Sequence, residues 1–152
     1  MEKMSGRISD DGYQRLLRFR NGLRRFERWS EQQAEAAGLT SAQHQLLLAI
    51  RGHPEQRDPT ISDLSEHLLL RHHSVVELVN RAASAGLVER QSDSADRRLV
   101  RIHLTARGAA VLHRLTHAHL DELARLAPAF EGLWDGLVPT KHLPPERRVG
   151  AD

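Results

Sequence analysis

Cysteine is missing from this chain, which removes disulfides, thiolate catalysis, cysteine-based peroxide sensing and cysteine-ligated zinc in one step. Aromatic residues are scarce, at 4%, so a core has to be assembled from Leu, Val, Ile and Ala. No stretch approaches the roughly 20 uninterrupted apolar residues of a membrane span. The opening MEKMSGRISDDG lacks the apolar run of a secretory signal. These absences predict a cytoplasmic protein with no membrane partner. Glycines are scattered, and no GxGxxG, GxxxxGK, HExxH or GxSxG occurs, so neither an enzyme nor a bound cofactor is expected. The formal net charge is only +2. That balance neither requires nor forbids nucleic acid; where the charge sits decides.

At 152 residues the chain suffices for one domain with a real core. Over 13–29, Tyr13, Leu16, Phe19, Leu23 and Phe26 share one broad helical face, with Leu17 and Trp29 on its margins. Gly38 ends that helix. Thr40 and Gln43 form a capping box for a second helix through Leu46, Leu47, Leu48 and Ile50. Thr60 caps a short third helix carrying Ile61, Leu64 and Leu68, with Asp63 in its first turn.

The fourth helix, about His72 to Ala85, divides cleanly. Val75, Leu78, Val79, Ala82 and Ala85 face one way, and His73, Ser74, Glu77, Asn80, Arg81 and Ser84 the other. Two short helices with the second amphipathic make a helix-turn-helix. After Gly86 the period changes to two. Val100, Ile102 and Leu104 alternate inward, Arg101 and His103 outward, in a hairpin whose tip holds Asp96, Arg97 and Arg98. Thr105 caps a long helix to about Leu126, where Pro128 terminates or kinks it, and a short segment 129–137 follows.

An Arg-rich hairpin is by itself most often a solvated charged turn. A helix-turn-helix just upstream turns the balance toward DNA, because guanidinium groups suit phosphates and narrow minor grooves. On the fourth helix, His73 and Ser74 occupy a first turn that also favours phosphate. Glu77 can accept from cytosine, Asn80 can pair with adenine, and Arg81 can reach a phosphate or the wing. The expected DNA-contacting set is therefore Arg71, His72, His73, Ser74, Glu77, Asn80, Arg81, Arg97, Arg98 and Arg101.

The segments LTSAQHQLLLAI, TISDLSEHLLLRHHSVVELVNRAASAGLVER and DSADRRLVRIHLTARGAAVL together resemble the multiple antibiotic resistance regulator (MarR) family of bacterial winged-helix repressors. The resemblance covers about residues 12–137. Its most specific element is Asp96-Arg97-Arg98 followed by Val100 through Gly108. The resemblance implies a homodimer on a pseudo-palindromic double-stranded DNA operator, with repression relieved by a small aromatic or phenolic effector. It implies a fourth helix in the major groove, Arg98 in the minor groove, and Asp96 orienting that arginine. Three positions depart from the pattern: Asn80 stands for a usual Asp, Leu69 for a common Gly, and Arg71 for a frequent Ser or Thr cap.

The broad apolar face of 13–29, and Leu112, Leu115, Leu123 and Leu126 around His119 on the last helix, exceed what one winged helix can cover. A second copy is the natural cover, with Leu16, Phe19, Leu23, Leu112, Leu115, His119 and Leu123 as the expected interface. His119 reads as a core or interface histidine. Arg20, His44 and Leu47 are the expected lining of an effector pocket. The expected fold is mainly α with a small β-hairpin wing (α+β). It is one domain over 12–138, a winged helix-turn-helix at about 40–105 between dimerisation helices at about 12–37 and 106–137. Residues 1–11 read as a flexible N-terminus and 139–152 as a disordered tail.

Two alternatives stand beside this. A winged-helix interaction module without DNA binding would carry an acidic or apolar outer face on the fourth helix and an uncharged wing. A metal-responsive regulator would use histidines, and His113 and His117 have i, i+4 spacing. No third ligand accompanies them, so no metal is expected.

Overall fold

Each described helix of this protein begins at a side chain that satisfies a first-turn backbone N–H group, with one exception. In the computed structural model, which describes residues 8–135, the Ser9 hydroxyl accepts from the Gly12 N–H to open α1 (Asp10–Ala36). Thr40 and Gln43 close a reciprocal capping box at α2 (Ser41–Arg51), and Thr60 and Asp63 another at α3 (Ile61–Leu68). The exception is α4 (His72–Ser84), whose N-cap Arg71 makes no side-chain cap bond. It follows Leu69, held at φ 53° where glycine would sit without strain.

Gly86, at φ 73°, turns the chain from α4 into the hairpin of β1 (Val88–Ser92) and β2 (Val100–Leu104). The strands pair antiparallel from Val88↔Leu104 to Ser92↔Val100. Thr105 then caps α5 (Ala106–Trp134), accepting from the Gly108 N–H at 3.0 Å. A side chain at Gly108 would place its Cβ 2.0 Å from the Leu87 carbonyl oxygen, so only glycine allows this close approach.

The core lies inside the winged helix. Leu46, Leu47, Leu64, Val75, Val79, Leu87, Val88 and Ile102 are fully buried, each contributing about 1.5–3 kcal/mol by leaving water. Leu112 and Leu115 seal it from α5. By contrast α1, with 27 residues, buries only Ala34. Most of that helix lies outside the core.

Several expectations change. Pro128 neither ends nor separates the last helix, which runs on to Trp134. Proline removes one backbone donor and costs about 3 kcal/mol inside a helix. Edge-on contacts of Phe19 with Phe130 at 6.0 Å and with Trp134 at 5.6 Å offset that cost. Gly22 leaves room for the Phe130 ring. Val100 is exposed rather than inward, and the N-terminus is helical from Asp10 rather than flexible to 11. The expectations for residues 1–7, for 136–138 and for the 139–152 tail lie outside the described residues. No described helix is long and apolar enough to cross a membrane.

Candidate nucleic-acid interface

The division of α4 is sharp. Val75, Val79 and Ala82 are buried without remainder, while Arg71, His72, His73, Glu77, Asn80 and Arg81 are exposed and Ser74 is half-buried. Asn80 is not idle: its Oδ1 accepts a hydrogen bond from Nη2 of Arg90 on β1. The expected adenine pairing uses that oxygen and the amide NH₂, so the oxygen would be shared between Arg90 and the base, as its two lone pairs allow. The same bond ties helix to wing through a guanidinium and an uncharged amide, at the position where the family pattern would put a carboxylate.

The tip of the wing is a nest of carboxylates and guanidinium groups. Asp96 Oδ1 accepts from the Arg98 backbone N–H and Nε, and Oδ2 from Nη2, all at 3.0 Å. The Arg98 side chain nonetheless stays 89% exposed. These bonds hold the Asp96 carboxyl below its ordinary range and push the Arg98 guanidinium up, so the pair is fully ionised at neutral pH. Arg97 is exposed beside it.

Arg101 does not join this surface. Its Nε donates to Asp93 and its Nη1 to the Asp58 carbonyl at 2.7 Å, and its side chain is 16% exposed. Asp93 also accepts from the backbone N–H groups of Ala95 at 2.8 Å and Asp96 at 2.9 Å. The Arg101 hydrogen bond, followed by those two, holds the Asp93 carboxyl far below the usual carboxylate range. Asp93 and Asp58 are absent from the sequence-based site. The Ser-Asp-Ser-Ala-Asp run was the available signal, since Asp often bonds the backbone two or three residues on.

The expected interface residues divide. Leu16 and Leu123 are 59% and 46% exposed, Leu23 is also exposed, and Phe19 is half-buried against Phe130 and Trp134. Leu112 and Leu115 are consumed inside the chain's own core and cannot meet a partner; the correction is that the apolar stripe of α5 changes cover along its length. His119 is held internally. Its Nδ1–H donates to the Leu115 carbonyl at 2.7 Å, so its Nε2 accepts from the Ser30 hydroxyl, also at 2.7 Å. Its ring lies 4.8 Å from Trp29 and 4.7 Å from His44.

A cavity of about 600 Å³ opens between α1, α2 and α5, bounded by Phe26, Glu27, Ser30, His44, Leu48 and His119. Of the expected lining, His44 alone reaches it. Leu47 points into the core, and Arg20 lies exposed on α1 away from the cavity. Burial, then the neighbouring His119, pushes the His44 imidazole down. His113 and His117 are exposed, with His117 3.3 Å from Asp121. Among the described residues no three His, Asp or Glu side chains are grouped to hold a metal.

Residues 37–99 match the model of the MarR family. The chain is 34% identical over 76 residues to the Bacillus subtilis (strain 168) uncharacterized HTH-type transcriptional regulator YsmB, covering 50% of this chain and 52% of that protein. It thus spans about half the length of this curated relative. A solved MarR family transcription regulator is 28% identical, with 81% of this chain and 78% of that one covered at a TM-score of 0.65. The S. aureus MepR–DNA complex shares the fold at 21% identity, with 72% and 78% covered and a TM-score of 0.62.

Proposed function

Because the chain belongs to the MarR family of winged helix-turn-helix transcription regulators, not to an enzyme family, we propose that it acts in the cytoplasm as a homodimeric repressor on a pseudo-palindromic operator. The observation that carries this reading is the joined reading head. The exposed polar face of α4 is bonded to the wing through Asn80 and Arg90, and the wing presents Arg98, ionised and braced by Asp96. A fixed guanidinium beside a helix with free polar side chains is what groove reading requires. The DNA-bound state of MepR supports the same partner here. His72, His73, Ser74, Glu77 and Arg81 then read bases or phosphates, with Arg71 and Arg97 on the backbone.

Exposed Tyr13, Leu16, Leu17, Leu120, Leu123 and Trp134 on α1 and α5 support the second copy, since a lone subunit gains nothing from so much wet apolar surface. The cavity beside His44 supports a small effector. Phe26 offers it a ring face, while Glu27 and Glu31 disfavour a carboxylate, so a neutral phenol fits better than an aromatic acid.

Selection of bound duplexes from a genomic DNA library tests the reading. Enrichment of one inverted repeat is expected. A library that yields no common site would leave the chain a winged-helix protein-interaction module.

A further inference from the structure

Arg98, exposed at the wing tip and braced by Asp96, is useful to DNA recognition only if the hairpin holds a fixed place relative to α4. We infer that Asp93 and Arg101 are a positioning pair that locks the wing to the segment before α3, and that neither touches nucleic acid. This rests on the DNA-binding reading above.

Asp93 gathers the wing's turn from inside. One oxygen takes the N–H groups of Ala95 and Asp96, and the other takes Arg101 Nε. Since Asp96 in turn clamps Arg98, the chain of bonds from Arg98 to Arg101 is unbroken. Arg101 then carries it out of the hairpin. Its Nη1 donates to the Asp58 carbonyl, 43 residues away in sequence. Its backbone forms an isolated bridge with Thr60, and the next N–H, of Ile102, donates to the Pro59 carbonyl at 2.9 Å. Thr60 is the N-cap of α3, which leads directly into α4. The wing tip and the helix-turn-helix are thereby referenced to one point, the segment 58–60.

The residue types fit this task. A guanidinium offers donors on two edges in fixed geometry, so one side chain can bind a carboxylate and a carbonyl at once; an ammonium is a point charge without that fork. With side chains 7% and 16% exposed, Asp93 and Arg101 are too enclosed for a phosphate. A carboxylate next to DNA would in any case repel it. Removing Asp93's charge should therefore strengthen binding if charge alone mattered, and weaken it if position matters.

The test is binding of the full chain to its selected duplex, followed by fluorescence anisotropy, for Asp93→Asn, Arg101→Lys and each combined with Arg98→Ala. Each single variant is expected to lose about tenfold in affinity, within the range of one lost arginine contact. In the Arg98→Ala background each should cost less than about twofold more, because the residue being positioned is gone. General destabilisation would not produce that non-additivity. Tighter or unchanged binding by Asp93→Asn, wild-type binding by Arg101→Lys, or independent multiplication with Arg98→Ala would each overturn the pair. Amide hydrogen exchange gives a readout that needs no DNA. Protection at Ala95, Asp96 and Ile102 should fall in both variants while that of α5 persists, and unchanged protection would overturn the proposal. A wild-type chain that binds no duplex would sink the DNA-binding reading instead, with the exchange result still deciding whether the pair locks the wing.

Discussion

Asp96 grips the guanidinium of Arg98 by two parallel hydrogen bonds of 3.0 Å and leaves that side chain 89% exposed. The residue is ordered before it meets anything, and Nη1 remains directed away from the clamp. Ordering a long side chain ahead of binding spares the cost of immobilising it later.

Arg98→Ala is expected to weaken operator binding by about 1–3 kcal/mol and to lower the slope of log affinity against log salt by about 1. Asp96→Ala should lose less, about 0.5–1.5 kcal/mol, since the arginine survives but must be ordered on contact. Anisotropy titrations at several salt concentrations separate the two. Equal affinity of Arg98→Ala and wild type would remove the wing from the interface.

Acid should loosen the junction of α1, α2 and α5. The His44 imidazole sits lower than its ordinary 6.5 because it is buried, and secondarily because His119 lies beside it. The unfolded chain then binds the proton more readily. The stability it contributes is intact above pH 6.5 and is lost as pH falls below that value. Denaturant midpoints should begin to drop as pH falls through 6.5, and His44→Gln should flatten that decline. An unchanged decline would show that other groups set it.

Leu16→Glu with Leu123→Glu should convert the proposed dimer to a folded monomer, because both side chains are exposed in the subunit. Leu112→Ala should behave differently, destabilising the subunit itself by about 2–5 kcal/mol as a core truncation does. Light scattering and denaturant unfolding report the two effects. A double variant that still has dimeric mass would place the interface elsewhere.

Leu69 holds a left-handed backbone at φ 53° with its side chain 89% exposed. It therefore bears strain without packing in return. Leu69→Gly should raise stability by about 0.5–1 kcal/mol, the relief of strain exceeding the entropy glycine adds to the unfolded chain. A lower melting temperature in calorimetry would show that the leucine has a contact worth more than its strain.

Much of this fold was legible from local rules. The capping box at Thr40–Gln43, the Thr60 cap of α3 and the two faces of α4 depend on residues a few positions apart, and they stand as read; that Asp63 closes a second reciprocal box with Thr60 came only from the structure. Apart from the Ser9 cap that starts α1 at Asp10, what failed was a matter of distant cover. Strand alternation places Arg101 on one side of β2 but cannot say that residues 58–60 lie over that side. Helical periodicity finds the stripe from Leu112 to Leu126 but not the point where the winged helix stops covering it. Pro128 read as a terminator because Phe19, more than a hundred positions earlier, supplies the packing that carries the helix past it.

A single residue separates β2 from α5, and it has no freedom. Thr105 donates its N–H to Leu87 and its hydroxyl to Gly86, and it receives Gly108 on the same oxygen. Hairpin and helix are accordingly one stiff piece, a lever about 43 Å long from the 29 residues of α5. In the proposed dimer, the angle at which the far ends of two such levers cross acts as a gauge for the distance between half-sites. A molecule lodged beside His119, near the middle of the lever, would alter that gauge while leaving each head's own grip on DNA intact.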